Sequence, residues 1–359
     1  MTRNSAQDEA LIRSTTGYQP QLDGLRAIAV MSVMVFHARP ELLPGGFIGV
    51  DIFFVLSGFL ITRIIMKELK FNKKFSFKRF YIRRALRLFP ALFLACVVLL
   101  VVYSLIPGLP QHDETLFGIF AAVTYSSSWF TAFSIANLGA MLPTWSLSVE
   151  EHFYFVWPLV LVLLFRFSKF FKASVVLLIL IATTYPLVAF VVFDWSVERL
   201  HYAPDTRSAQ LLIGCGAAIL VSKVGSRVPS LLAWFAILFL VGYELSKNLL
   251  SFDFYNYGGN IIIGIVTAIF ILHLDQQEYG LFSRFLSTKP MVWIGQRSYG
   301  IYLWNLPLIA VMTFMGSSLP GVAAKLAVCF IVPAISFTYV EKPLLRLKRR
   351  FDKQPDRTG

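Results

Sequence analysis

Ten separate stretches of this chain run apolar over lengths suited to crossing a bilayer, and few soluble folds can absorb so many. They lie at about 24–38, 47–66, 88–105, 152–167, 173–193, 208–222, 230–246, 259–274, 291–315 and 322–340. A spanning helix needs roughly 20 largely apolar residues, counting its flanks. The chain is 57% hydrophobic and only 15% charged over 359 residues, with a mean hydropathy of +0.66. In lipid every backbone polar group must be satisfied within the protein, which leaves helices or closed barrels, and barrel strands alternate instead of running continuously apolar. The expected fold is all-α, a polytopic membrane bundle of about ten transmembrane helices.

Charge sets the expected orientation. Ten Lys or Arg crowd into residues 63–87 against the single acid Glu68, and seven more lie between Lys342 and Arg357. Cytoplasmic loops carry such excess. Both termini are therefore expected in the cytoplasm, which requires an even number of crossings. Residues 1–18 read as a polar cytoplasmic tail, 19–343 as the membrane domain and 344–359 as a basic cytoplasmic tail. The links at Arg166 to Lys172, Lys223 to Arg227, and Arg284 to Lys289 fit the inner side, and the loops at 39–46, 106–115, 194–207 and 247–258 the outer side. The net charge of +13 is thus accounted for by topology and membrane lipid, and no nucleic-acid partner is expected. Residues 116–133 are apolar too, but an eleventh crossing would misplace the tail. The segment 116–145 is expected to re-enter or to stay in the outer leaflet, because irregular backbone is tolerated where it lines a protein cavity. Cys96, Cys215 and Cys329 sit inside apolar spans at no disulfide or metal spacing, so packing is their expected role and no metal site is expected.

Ionisable residues inside such spans are costly and usually face a bundle interior or a water-filled cavity. Arg26 and His37 stand eleven residues apart in the first span, which returns them to within about 20° of one helix face and about 16 Å apart along the axis. Asp51 opens the second span at the depth of His37. A histidine there can act as a base near neutral pH, with Asp51 expected to orient it. The bland readings are a packing histidine and a helix N-cap. Their convergence on one face favours chemistry.

Three further clusters stand out. In TWSLSVEEHFYFVWP (144–158) Glu150 and Tyr154 share a helix face. Carboxylates beside Trp145, Trp157 and Tyr154 could meet a sugar, or the cluster could be an interfacial aromatic belt. In GQRSYGIYLWNLP (295–307) Ser298, Tyr302 and Asn305 form a polar stripe that either joins helices or lines a pore. In RRALRLFP (83–90) Arg84 and Arg87 share a face next to a proline-bounded helix start, and paired arginines bind phosphate bidentately.

LDGLRAIAVMSVMVFH, GGFIGVDIFFVLSGFLIT, FYIRRALRLFP, WSLSVEEHFYFVWP and SYGIYLWNLP followed by YVEKP, in that order from about residue 18 to 343, resemble the acyltransferase-3 family of integral-membrane O-acyltransferases. The resemblance implies transfer of an acyl group, commonly acetyl from acetyl-CoA, to hydroxyls of envelope or secreted carbohydrates such as O-antigen. It implies acyl-CoA as donor substrate with no bound cofactor, an envelope glycan or its lipid-linked precursor as acceptor, and a place in the inner membrane. The family's arginine–ten residues–histidine motif falls on Arg26 and His37, with the histidine catalytic. Its Arg-x-x-Arg motif falls on Arg84 and Arg87, on the donor side. Its WSLSxE motif falls on Trp145, Ser146, Ser148 and Glu150, and Trp145, Ser148, Glu150 and Tyr154 are expected to meet the acceptor. Two positions depart from the pattern: His152 replaces a usual glutamine, and Asn305 a frequent histidine. Some members carry a fused extracytoplasmic hydrolase-like domain, which this sequence lacks, so the membrane unit is expected to complete transfer or to pass the acyl group on.

A secondary transporter would share the spans and buried charges but would not release CoA thiol, and a small hydrophobic acceptor such as a macrolide would keep the chemistry. The crossing count is checked by Ala136→Cys: the introduced thiol should be labelled by a membrane-impermeant reagent from the outer side alone.

Overall fold

The computed structural model describes residues 18–221, 228–246, 254–277, 279–316 and 318–348. Among these, all regular structure is helical. The tail before residue 18 and the linker charges Lys223 and Arg227 lie outside the described residues.

Pro20 occupies the first turn of α1 (Pro20–Ala38), where its missing N–H costs nothing. After a short 3-10 turn, α2 (Gly49–Asn72) returns antiparallel and stops at Lys73, in the left-handed conformation. The basic stretch opens α3 (Phe77–Leu105), so Arg84 and Arg87 lie inside that helix instead of at a proline-bounded start, and Pro90 falls within it. Residues 112–141 break into α4 (His112–Val123), α5 (Ser127–Ala132) and a 3-10 turn at Gly139–Met141. At 12 residues α4 reaches only about 18 Å, too short to cross a bilayer.

The long α6 (Thr144–Phe167) and α7 (Phe171–Phe193) follow, then α8 (Val197–Tyr202), α9 (Pro204–Val221) and α10 (Ser230–Leu245). A π turn at Tyr255–Gly259 precedes α11 (Asn260–Gln276). The chain changes direction there at Gly258, whose φ of +128° suits only glycine. The rest is α12 (Leu281–Leu286), α13 (Lys289–Gln296), α14 (Ser298–Val311), α15 (Leu319–Ser336) and, beyond a second π turn, α16 (Lys342–Lys348).

Among the described residues six helical stretches are long and apolar enough to cross a membrane: Gly46–Asn72, Phe77–Leu105, Thr144–Phe167, Phe171–Phe193, Tyr255–Gln276 and Leu319–Arg346. The chain is a multi-pass membrane protein, and the expected count of about ten is not reached by this measure. The other four segments fall short for visible reasons. The 291–315 segment is divided between α13 and α14, and α10 has only 16 residues. α1 and α9 lie inside the bundle and carry buried polar groups, Gln21, Asp23 and Ser32 on one and Thr206, Arg207 and Gln210 on the other. A helix shielded by its neighbours has no lipid to satisfy, so its sequence need not be apolar all round.

The centre of the bundle is the contact of α2 with α9, flanked by α1 and α11. Ile52, Val55, Leu56 and Phe59 of α2 share one buried cluster with Ile213 and Ala217 of α9 and Phe270, Ile271 and Leu274 of α11. The backbones approach where both helices present glycine: a Cβ on Gly58 would lie 1.9 Å from the Leu211 carbonyl oxygen, and one on Gly214 2.0 Å from that of Val55. Small residues allow such approach where membrane helices gain little from hydrophobic association. By contrast, more than half of the Gly46–Asn72 stretch is buried but only Val175, Ala182, Pro186 and Ala189 of α7, whose leucines and valines line the periphery. Cys96, Cys215 and Cys329 are buried and free.

Side-chain contacts gather the helix ends into two groups. Gln19 at the start of α1, Arg63 late in α2 and Asp275 at the end of α11 form one hydrogen-bonded cluster. The beginnings of α2 and α9 and the π turn meet through Asp51, Arg207 and Tyr255 at the other end. Gly58→Ala or Gly214→Ala should therefore force α2 and α9 apart and lower stability by about 1–3 kcal/mol, the usual cost of overpacking, read as a lower melting temperature of the purified protein in detergent.

Candidate active site

Two cavities occupy the interior, and the residues singled out above divide between them. The first, about 70 Å³, is lined by Arg26 of α1, Arg84 and Arg87 of α3, Ser57 of α2, Glu150 and Tyr154 of α6, and Ser298, Tyr299 and Tyr302 of α14. The second, about 390 Å³, is lined by His37, Trp145, His201, Tyr202, Arg207, Tyr243, Tyr255 and Tyr302. Val50 and Tyr302 line both and stand between them. Tyr302 is held there by Ser146, whose hydroxyl is 2.7 Å from its own, and by donation to the Pro143 carbonyl at 3.1 Å.

The first cavity is a concentration of positive charge. Arg26 is paired with Asp23 at 2.7 Å, and Asp23 also accepts from Tyr18. No ion pair neutralises Arg84 or Arg87 among the described residues. The Arg84 guanidinium lies 3.5 Å from the centre of the Tyr154 ring, so the tyrosine holds it by its face and leaves its edge available. Glu150 is the one carboxylate on the wall, and it accepts from the Ser57 hydroxyl at 2.6 Å. Three guanidiniums around a narrow cavity with one acid form an anion-binding site, suited to phosphate.

In the second cavity His37 is half-buried, and its Nδ1 is 2.5 Å from Asn305 Oδ1. The amide orientation follows from its other contacts. Asn305 Nδ2 donates to the carbonyls of Ile301, at 3.3 Å, and of Tyr302, so Oδ1 faces the imidazole. A flipped amide would set oxygen against oxygen. His37 Nδ1 therefore carries the proton, and Nε2 keeps its lone pair for a base.

Several expectations need correction. Asp51 does not orient His37. It is fully buried, accepts from Arg207 Nη2 at 2.8 Å and from the Tyr255 hydroxyl at 2.7 Å, and leaves the positioning of His37 to Asn305. Asn305, where the family pattern has a frequent histidine, thus sits beside the imidazole. The group 145–154 does not form one acceptor surface: Trp145 lines the His37 cavity, whereas Glu150 and Tyr154 line the arginine cavity, more than a helical turn away. Ser148 lines neither. It is fully buried and bonds to the Ser128 hydroxyl at 2.8 Å and to the Tyr125 carbonyl, tying α6 to the short helices before it. Of the stripe on α14, Ser298 and Tyr302 do line a cavity, and Asn305 acts on His37 from behind. His152 donates to the Ser148 carbonyl within its own helix and lines neither cavity.

Arg207, His201 and Tyr255 were missed. His201 is buried, with Nδ1 2.9 Å from Asn256 Oδ1 and Trp145 across its ring at 5.2 Å. The available signal for Arg207 was a single arginine just ahead of the apolar run from 208; position along the chain says nothing of its meeting Asp51. Among the described residues no cluster of three His, Cys, Asp or Glu could hold a metal ion.

A family model described as an acyltransferase domain matches residues 19–340. The chain belongs to the acyltransferase-3 family. Curated relatives include the peptidoglycan O-acetyltransferase OatA of Listeria monocytogenes, 31% identical over 92% of this chain and 56% of the relative. The putative peptidoglycan O-acetyltransferase YrhL of Bacillus subtilis is 32% identical over 91% and 55%, and the O-acetyltransferase OatA of Staphylococcus aureus 32% over 91% and 57%. The chain thus spans little more than half the length of these relatives. No solved structure matches it. Asn305→Leu in this acyltransferase should free the His37 ring and lower transfer about 10–100-fold, the usual cost of losing a group that orients a functional histidine, with acyl-donor KM nearly unchanged in steady-state kinetics.

Proposed function

We propose that this protein moves an acetyl group from cytosolic acetyl-CoA to a hydroxyl of a cell-wall glycan on the outer side of the membrane. The observation that carries the reading is the meeting of two chemically different cavities at Val50 and Tyr302: an arginine-lined one toward the basic ends of α2 and α3, and a histidine-lined one toward the other end. The CoA phosphates bind near Arg84 and Arg87, Arg26 steadies the charged donor, and the thioester end reaches past Tyr302. The positive-inside distribution supports a cytoplasmic donor side in the inner membrane. The two groups of helix ends fit alternating crossings, with 116–145 re-entering or staying in the outer leaflet.

Relatives that are peptidoglycan O-acetyltransferases favour peptidoglycan as the glycan over the O-antigen that the family resemblance brought forward. The chemistry follows from the His37 tautomer. Nε2 takes the proton of the sugar hydroxyl as its oxygen adds to the thioester carbonyl. The tetrahedral adduct collapses, the C–S bond breaks, and the imidazolium returns its proton to the thiolate, giving the sugar ester and CoA thiol. Trp145 offers the acceptor an aromatic face in that cavity.

The test is thiol release from acetyl-CoA by the purified chain with soluble wall fragments. His37→Ala should lower kcat about 10²–10⁴-fold, the contribution of a positioned base. Removing both Arg84 and Arg87 should instead raise the acetyl-CoA KM about tenfold or more, the loss of charged hydrogen bonds. Release that ignores the glycan but follows an added macrolide would change the acceptor. No release under any condition would favour transport.

A further inference from the structure

Arg207 is among the largest fully buried side chains of the described residues, and it is only partly used. One nitrogen, Nη2, makes both of its hydrogen bonds, to Asp51 Oδ1 at 2.8 Å and to the Tyr255 hydroxyl at 2.6 Å. Nε and Nη1 have no protein partner. A buried N–H left without an acceptor is expensive, and a guanidinium with spare donors demands an explanation. The residue lines the same cavity as His37. The rings of Phe54, Trp145 and Tyr255 stand 5.3–5.6 Å from the guanidinium carbon, so its surroundings are aromatic.

We propose that Arg207 forms the oxyanion hole of this acyltransferase, its Nε–H and Nη1–H donating to the acyl carbonyl oxygen as that oxygen becomes negative. The inference rests on the acyl-transfer reading above. Charge balance decides what Arg207 can bind. Asp51 already neutralises it, so a fully charged phosphate or carboxylate would meet a pair with no net charge. Two unpartnered N–H donors beside a balanced pair instead favour an oxygen that is neutral in the ground state and negative only in the adduct. Donors fixed before the reaction by a buried ion pair are the arrangement that stabilises such an oxygen most. This also accounts for Asp51, which fixes Arg207 from behind, with Tyr255 bridging the two.

In the step itself the sugar oxygen bonds to the acyl carbon while its proton passes to His37 Nε2. The C=O electron pair moves onto the oxygen facing Arg207, and returns as the C–S bond breaks and the thiolate takes the proton back. The test uses the full chain in detergent with acetyl-CoA and soluble peptidoglycan fragments, and compares Arg207→Lys with the double variant Asp51→Asn, Arg207→Gln. The lysine keeps a cation against Asp51 but loses both spare donors. The double variant removes both charges, so no unpaired ion is left buried. Both should lose about 10²–10³-fold in kcat, as when an oxyanion-hole donor is removed, with acetyl-CoA and glycan KM within a few-fold of wild type. If either variant regains kcat within a few-fold of wild type, Arg207 serves only to neutralise Asp51 and the proposal fails. A loss confined to glycan KM would make it an acceptor contact and overturn the proposal equally. If the unaltered protein releases no thiol, the acyl-transfer reading itself falls.

Discussion

The ion pair between Asp51 and Arg207 is the constraint on which the rest of the bundle depends. Both side chains are wholly buried, and the Tyr255 hydroxyl bridges them. Removing one member of such a pair leaves a bare charge in a low-dielectric interior and typically costs about 3–5 kcal/mol. The pair forms only because the first turns of α2 and α9 are adjacent, and they are adjacent because Gly58 and Gly214 let the two backbones touch further along. Packing of two glycines, burial of two charges and the shape of the histidine cavity are therefore one condition.

The bundle handles its cations in two ways. Around the first cavity Arg84 and Arg87 are left without carboxylate partners, and the excess charge can attract an anion from outside. In the second cavity Arg207 is neutralised, and only the direction of its N–H bonds remains to act. The difference follows from depth: an unpaired cation is affordable near the basic end of the bundle, where lipid headgroups and water are close, and prohibitive when wholly enclosed. Tyr302, fixed by Ser146 and Pro143, marks the border between the two regimes.

How much of this was legible depended on whether the relevant contact ran along one helix or between two. Arg26 and His37 could be placed on one face from their spacing alone, and the alignment of Glu150 with Tyr154 or Arg84 with Arg87 followed from helical period. The failures were of the other kind. Asp51 was given to His37 because both belong to neighbouring spans at one depth, whereas the partner it reaches lies 156 residues on. Ser148 belongs to the same motif as Glu150 yet faces α5, because successive residues of a helix point about 100° apart. Asn305 was read only as part of a polar stripe along its own helix, and its amide supplies the hydrogen bond that fixes the tautomer of His37, 268 residues away.

By itself the sequence determined that the chain is helical and membrane-embedded, that one end of the bundle is strongly basic, and that an arginine, a histidine and an aspartate lie where lipid-facing residues could not. Those conclusions rest on local quantities: length of apolar run, helical period and the cost of charge in hydrocarbon. Only the tertiary structure decided which cation is neutralised and which is free, which residues share a cavity, and that α1 and α9 are interior helices that need no apolar surface. Those are properties of pairs brought together across the fold, and the one-dimensional pattern carries no term for them.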